Sequence, residues 1–232
     1  MSDEREHSNP EHTHQPHVHE EVKVLSWDDD GEHDVKETGH YELMAAAIKE
    51  LLIEKGVVTA EEIRKQLEFM DSRGPHLGAR IVAKAWTDPE FKKRLVDDGT
   101  KAVGELNIPM GDTELVVVEN TPAVHNMVVC TLCSCYPRPI LGLPPDWYKS
   151  KSYRSRAVIE PREVLKEFGT EIAEDVAVRV HDSNADMRYL VLPMRPDGTE
   201  GWTEDQLAEL VSRDCMVGVS LPKSPTRVEA AG

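Results

Sequence analysis

Three of the four cysteines in the 232-residue chain fall within six positions, Cys130-Thr131-Leu132-Cys133-Ser134-Cys135. A thiolate is both a nucleophile and a soft metal ligand, so three at this spacing point to metal or redox chemistry. A disulfide inside so short a stretch is disfavoured, because Cβ separation and dihedral angle are tightly prescribed. The C-x-x-C spacing lets Cys130 and Cys133 converge on one ion from a turn, as in zinc knuckles. Zinc then draws its other two ligands from a distant segment, and no second C-x-x-C and no H-x3-5-H pair follows in the chain. The third thiol, only two residues on, leaves no room for an arched loop and brings the backbone against the ion. Amide nitrogens of Ser134 and Cys135 thereby become candidate ligands. Such a sulfur and nitrogen donor set, with open axial room, suits a transition ion better than zinc.

The elements that must position this loop are legible on both sides of it. Leu115-Val116-Val117-Val118 and Met127-Val128-Val129 are short β-branched runs, hence strands, and the second feeds directly into Cys130. Val176-Val178-Val180 alternates as a half-buried strand, with Met187 to Leu192 as its expected antiparallel neighbour. Pro161 opens a helix to about Phe168, Thr203 caps a helix carrying Leu207, Leu210 and Val211, and Met216 to Val219 reads as a last strand. Upstream the pattern is helical. Leu43, Met44, Ala47, Leu51 and Leu52 recur at helical spacing and stop at Gly56, and Thr59 with Glu62 reads as a capping box opening a second helix to about Met70. A third helix runs from about Leu77 to Trp86, and Asp88-Pro89 starts a fourth that ends near Gly99. The fold class is therefore α+β. The expected domains are a His-rich acidic tail over 1–39, a helical arm and subunit interface over 40–108, a metal-binding domain over 109–222, and a flexible tail over 223–232.

Acidic residues outnumber basic ones by 43 to 27, a formal charge of −16, which argues against nucleic acid or an anionic membrane as partner. No run of eighteen apolar residues exists, and the N-terminus lacks a basic and an apolar signal region. Clustered thiols without a disulfide framework fit a reducing cytoplasm. His7, His12, His14, His17 and His19 alternate through a segment too polar to offset its ordering entropy, so a mobile tail is expected there.

The stretch V-C-T-L-C-S-C-Y-P resembles the metal-binding signature of the nitrile hydratase alpha-subunit family, which includes the gamma subunit of thiocyanate hydrolase. The likeness extends to Gly74-Pro75-His76-Leu77-Gly78-Ala79-Arg80, Ala85-Trp86-Thr87-Asp88-Pro89-Glu90-Phe91, Leu141-Gly142-Leu143-Pro144-Pro145-Asp146-Trp147-Tyr148 and Gly201-Trp202-Thr203-Glu204, and covers about Tyr41 to Pro222. It implies a domain of stacked α-β-β-α layers after the helical arm. It implies three sulfur ligands, Cys130, Cys133 and Cys135, with backbone nitrogens of Ser134 and Cys135, and oxidation of Cys133 to a sulfinate and Cys135 to a sulfenate. Thr131 resembles the cobalt type, so low-spin non-corrin Co(III) is expected, with Fe(III) as the alternative. The implied reaction is hydration of a nitrile to an amide, the metal acting as Lewis acid, Cys135 as base or nucleophile and Ser134 orienting it. The resemblance also implies a beta subunit whose arginines meet the oxidised thiols, an α2β2 assembly inactive as alpha chain alone, and a cobalt-delivering activator protein.

Asp182, Asp186 and Arg188, in V-H-D-S-N-A-D-M-R-Y, resemble a block that supports the metal loop, although a surface ion pair reads the same. Tyr136 is a candidate pocket wall. His125, His181 and Cys215 read as structural. Two departures from the family pattern bear on substrate. Arg138 stands where nitrile hydratases usually carry tryptophan, and Met110-Gly111-Asp112 where a glutamine followed by Gly and Glu is common. The Tyr-Pro-Arg-Pro form and the His-rich tail are closer to thiocyanate hydrolase gamma, which is the second reading. The third is a thiolate metal-binding or redox-sensing module without catalysis.

Overall fold

The computed structural model describes residues 22–27 and 33–225. They fall into two compact units, Met1–Lys65 and Gln66–Gly232. In the first, β1 (Val22–Trp27) and β2 (His33–Thr38) pair antiparallel, Val22 opposite Thr38 and Trp27 opposite His33. They are the described parts of the segment expected to be a mobile tail, whose histidines at 7 to 19 lie outside the described residues. Helix α1 (His40–Glu54) buries none of its residues and presents Tyr41, Met44, Ile48 and Leu51 along one stripe to solvent. Gly56, in the left-handed region at φ +66°, ends it. Helix α2 (Ala60–Asp71) opens on the expected capping box. Glu62 N–H donates to Thr59 Oγ1 at 3.1 Å and Thr59 N–H to Glu62 Oε2 at 2.8 Å.

The second unit holds the core. Helix α3 (Pro75–Thr87) buries Ile81, Val82, Ala83 and Ala85, and α4 (Pro89–Asp97) starts where Asp88 Oδ1 accepts from Phe91 N at 3.0 Å. A further short helix, α5 (Gly99–Glu105), follows, capped by Asp98. Strand β3 (Glu114–Glu119) and β4 (Val124–Val129) come next, the latter buried from His125 onward. After the cysteine loop come α6 (Arg138–Leu141), α7 (Asp146–Lys149), α8 (Lys151–Ile159) and α9 (Pro161–Glu167). The chain finishes with β5 (Ala177–Asp182), β6 (Met187–Leu192), α10 (Glu204–Ala208) and α11 (Arg213–Val217).

Two expectations are corrected. β5 and β6 are not neighbours: β6 pairs parallel with β3, and β5 pairs parallel with β4, Val129 facing Asp182. The chain changes ladders between them. Ser183 N–H still bonds Val129 O at 2.8 Å, then Asn184 Oδ1 takes the N–H groups of Asp186 and Met187, and Asp186 O receives Glu114 N–H at 2.8 Å to begin the other ladder. The stretch 216–219 is not a strand either. Ser212 Oγ accepts from Cys215 N at 3.2 Å and starts α11, which Gly218 ends at φ +87°. A short buried apolar run cannot by itself distinguish helix from strand. The architecture is α+β. Helices α4 and α5 pack on β3, β6 packs on β4, and α8 and α9 pack on β4 and β5, giving helix, strand, strand and helix layers. No helix among the described residues is long and apolar enough to cross a membrane.

Candidate metal centre

β4 delivers the cysteine loop. Met127, Val128 and Val129 are buried at its end, and Cys130 is fully buried where the strand stops. The loop then doubles back. Cys130 Sγ lies 3.4 Å from Cys133 Sγ, Cys133 Sγ lies 3.2 Å from Cys135 Sγ, and all three sulfurs are within 4.8 Å of one another. Backbone N–H groups converge on the same place. Cys133 N–H donates to Cys130 Sγ at 3.3 Å, and the Ser134 and Cys135 amides lie close enough to favour a thiolate on Cys133.

The thiols differ in ionisation. Hydrogen bonds from Cys135, then Cys130, bring the exposed Cys133 down to about 7, helped by the two amides. Burial, reinforced by the hydrogen bond to Cys133, pushes Cys135 up to about 12, with the Arg188 guanidinium pulling weakly the other way. Of Cys133 and Cys135, the negative charge therefore falls first on Cys133.

The sulfur spacing tests which ion would fit. With metal–sulfur bonds of about 2.3 Å, a right angle sets two sulfurs about 3.3 Å apart and a tetrahedral angle about 3.8 Å. The separations of 3.4 and 3.2 Å match the right angle. Cys130, Cys133 and Cys135 at this spacing suit a transition ion of square or octahedral habit better than tetrahedral zinc.

Side chains from three elements hold the loop. Asp182, at the end of β5, accepts from Thr131 N at 2.9 Å and Thr131 Oγ1 at 2.5 Å. Tyr148 Oη on α7 donates to Cys135 O at 2.8 Å, and Arg154 Nη1 on α8 donates to Cys133 O at 2.8 Å. Tyr153 Oη donates to Val128 O at 2.7 Å just upstream. Burial pushes the Tyr148 and Tyr153 hydroxyls above the ordinary tyrosine range, so both stay protonated donors. The sequence reading missed Tyr148, Tyr153 and Arg154. A hydrogen bond to a main-chain carbonyl leaves no residue pattern to find.

A depression of about 340 Å³ opens over the loop, lined by Met110, Thr113, Cys133, Ser134, Cys135, Tyr136, Arg138, Pro139 and Arg188. Arg188 is half-buried, its Nη1 donating to the carbonyls of Asn184 and Met187, whereas Arg138 is exposed. Tyr136 is buried, its ring meeting Tyr148 edge to face at 5.0 Å. Asp186, in contrast, is exposed and is tied in through its backbone. His125 and His181 lie elsewhere, on Gly218 O and Asn126 Oδ1, each at 2.8 Å, and Cys215 is buried in α11.

Comparison with known proteins agrees with this geometry. The family model "Nitrile hydratase, alpha chain" matches residues 39–220. The chain is 48% identical over 208 residues to thiocyanate hydrolase subunit gamma of Thiobacillus thioparus, covering 84% of this chain and 86% of that one. It is 54% identical over 183 residues to the low-molecular-weight cobalt-containing nitrile hydratase subunit alpha of Rhodococcus rhodochrous, covering 78% and 88%. Among solved structures, a recombinant thiocyanate hydrolase with partially modified cobalt centres superposes with a TM-score of 0.75 at 47% identity, covering 81% of this chain and 92% of that one. A family model spanning this much of the chain, with relatives near half identity over most of their own length, leaves one conclusion: the chain belongs to the nitrile hydratase alpha-chain family.

Proposed function

We propose that this chain is the metal-bearing alpha subunit of a nitrile hydratase, adding water to a nitrile to form the amide. Its low-spin, non-corrin Co(III) would be held by the sulfurs of Cys130, Cys133 and Cys135 and the amide nitrogens of Ser134 and Cys135. The observation that carries the reading is the right-angle spacing of the sulfurs, 3.4 and 3.2 Å, on a loop that also brings three thiols within 4.8 Å of one another. Bound cobalt would supply Lewis acidity towards the nitrile or the incoming water; iron(III) is the alternative ion. The relatives with cobalt in their names favour cobalt.

The chain's own residues supply the rest. Cys133 ionises before Cys135 and is exposed, which suits it to oxidation to a sulfinate; Cys135 goes to the sulfenate. In this reading the Cys135 oxygen is base or nucleophile, and the Ser134 hydroxyl orients it or the water. Oxidised thiols are anions that need cationic partners in a dry pocket. Among the described residues, Arg138 and Arg188 are the cations lining the depression. Arginines of a beta subunit would complete the set, so the site is an interface of an α2β2 assembly and the chain alone is poorly active. Residues 40–108 then carry subunit contacts, consistent with the exposed stripe on α1, and 109–222 the catalytic machinery. A cobalt-delivering activator and a cytoplasmic setting belong to the same reading, because free thiols side by side persist in a reducing compartment.

Arg138 favours a second reading. A cation in the wall of the depression suits an anionic substrate such as thiocyanate, so a thiocyanate hydrolase gamma role is the alternative. The test is the full chain co-expressed with its genomic neighbours in cobalt medium. About one cobalt per chain, with oxygens added on Cys133 and Cys135 by peptide mass, is expected, followed by turnover of nitriles and not of thiocyanate. Turnover of thiocyanate alone selects the second reading. Zinc, or three plain thiols, overturns both and leaves a thiolate binding module.

A further inference from the structure

Cys130 to Cys135 is the stretch in which backbone, and not only side chains, must face the ion. What turns it is therefore a separate question from what binds. Every described peptide bond is trans, so the Cys133 carbonyl and the Ser134 N–H, which share one peptide plane, point to opposite sides. Arg154 Nη1 holds that carbonyl at 2.8 Å, which turns the Ser134 N–H to the other side of the plane. A guanidinium is always charged, and its hydrogen bonds to oxygen are among the stronger ones. Arg154 Nε is buried and has no hydrogen-bond partner among the described residues, so burying the group there is not repaid by ion pairing. Its neighbour on the same helix is the opposite case. Arg156 has its guanidinium taken up by Glu160 and Glu167.

We infer that Arg154 is a positioning residue for the metal loop: by holding the Cys133 carbonyl it keeps the Cys133–Ser134 peptide turned so that the Ser134 amide nitrogen faces the ion. This rests on the cobalt reading above. Cys130, Cys133 and Cys135 would still offer three sulfurs without Arg154, but the peptide plane would be free to rotate and the nitrogen donor would be lost.

The experiment compares the parent chain with Arg154→Met, Arg154→Lys and Arg156→Met, each co-expressed with its neighbours in cobalt medium. Metal content, the visible absorption of the metal centre, peptide mass over Cys130 to Cys135 and thermal melting are read on each. For R154M, a loss of cobalt retention of about ten- to a hundredfold is expected, the scale for removing an outer partner of a metal ligand. Any residual absorption should be shifted. R154K, which keeps a charged donor, should restore part of the metal, and R156M should hold it like the parent. Parent-like cobalt and absorption in R154M overturn the inference and leave the cobalt reading standing. Equal metal loss in R156M also overturns it, because general weakening of α8 would then be the cause. A parent chain without cobalt removes the underlying reading, and the inference with it.

Discussion

Gly218 joins the end of α11 to the strand that feeds the metal loop, and Gly218→Ala should be among the most damaging single-methyl changes in the chain. Two costs combine. The residue sits at φ +87°, where a side chain adds about 1–2 kcal/mol of strain. An added Cβ would also lie 2.0 Å from Asn126 O and 2.9 Å from Met127 Cα. Both are main-chain atoms of β4, so no rotamer change relieves the clash. Overpacking of this kind costs about 1–3 kcal/mol, and moving the turn away strains the His125 Nε2 contact to Gly218 O, 2.8 Å long in a buried setting. The total is about 4 kcal/mol, which for a chain of this size lowers the melting temperature by roughly 8–16 °C. Gly198→Ala is the control. It shares the left-handed backbone, φ +76°, but its Cβ meets nothing within 4 Å, so only the strain applies and the melting temperature should fall by about 2–8 °C. Calorimetry on both variants, with cobalt content measured alongside, checks the argument. Equal shifts for the two would refute it, since the clash with β4 would then contribute nothing.

Two more outcomes follow from the charge state of particular groups. In the metal-free chain, iodoacetamide should modify Cys133 first with a midpoint near pH 7 and Cys135 only far more slowly; preferential labelling of Cys135 at neutral pH would contradict the assignment of the first charge. Burial holds His125 and His181 below the ordinary histidine range, so the folded chain binds fewer protons than the unfolded one as pH falls through about 6.5. Stability should be steady above that pH and decline below it, and His125→Gln should flatten the decline in a melting-temperature profile; an unchanged slope in the variant would show that His125 is not the group responsible.

How much of this was readable beforehand depended on whether the cause was local. The cysteine spacing, the run Met127-Val128-Val129 leading into Cys130, the Thr59–Glu62 capping box and the Asp88 cap all depend on neighbours within a few residues, and each is where the sequence put it. Strand pairing was misread because adjacency favours a β5–β6 hairpin, whereas Asn184 turns the chain out of one ladder and into another more than fifty residues upstream. Met216 to Val219 was misread as a strand because the cap on Ser212 and the stop at Gly218 decide its form, not its apolar content. Arg154 and Tyr148 were not legible at all as loop contacts. Their targets are carbonyls of Cys133 and Cys135, which every residue possesses.

The parallel pairing of β4 with β5 also orders events in time. Asp182, which takes both donors of Thr131, follows Cys135 by 47 residues, and Arg154 lies between them. At about 5–20 residues per second, the three thiols leave the ribosome about two to ten seconds ahead of the residue that anchors the loop. Throughout that interval the cysteines are a flexible thiol cluster open to any soft ion or oxidant. The loop can therefore take its anchored form only after Asp182 has followed the thiols.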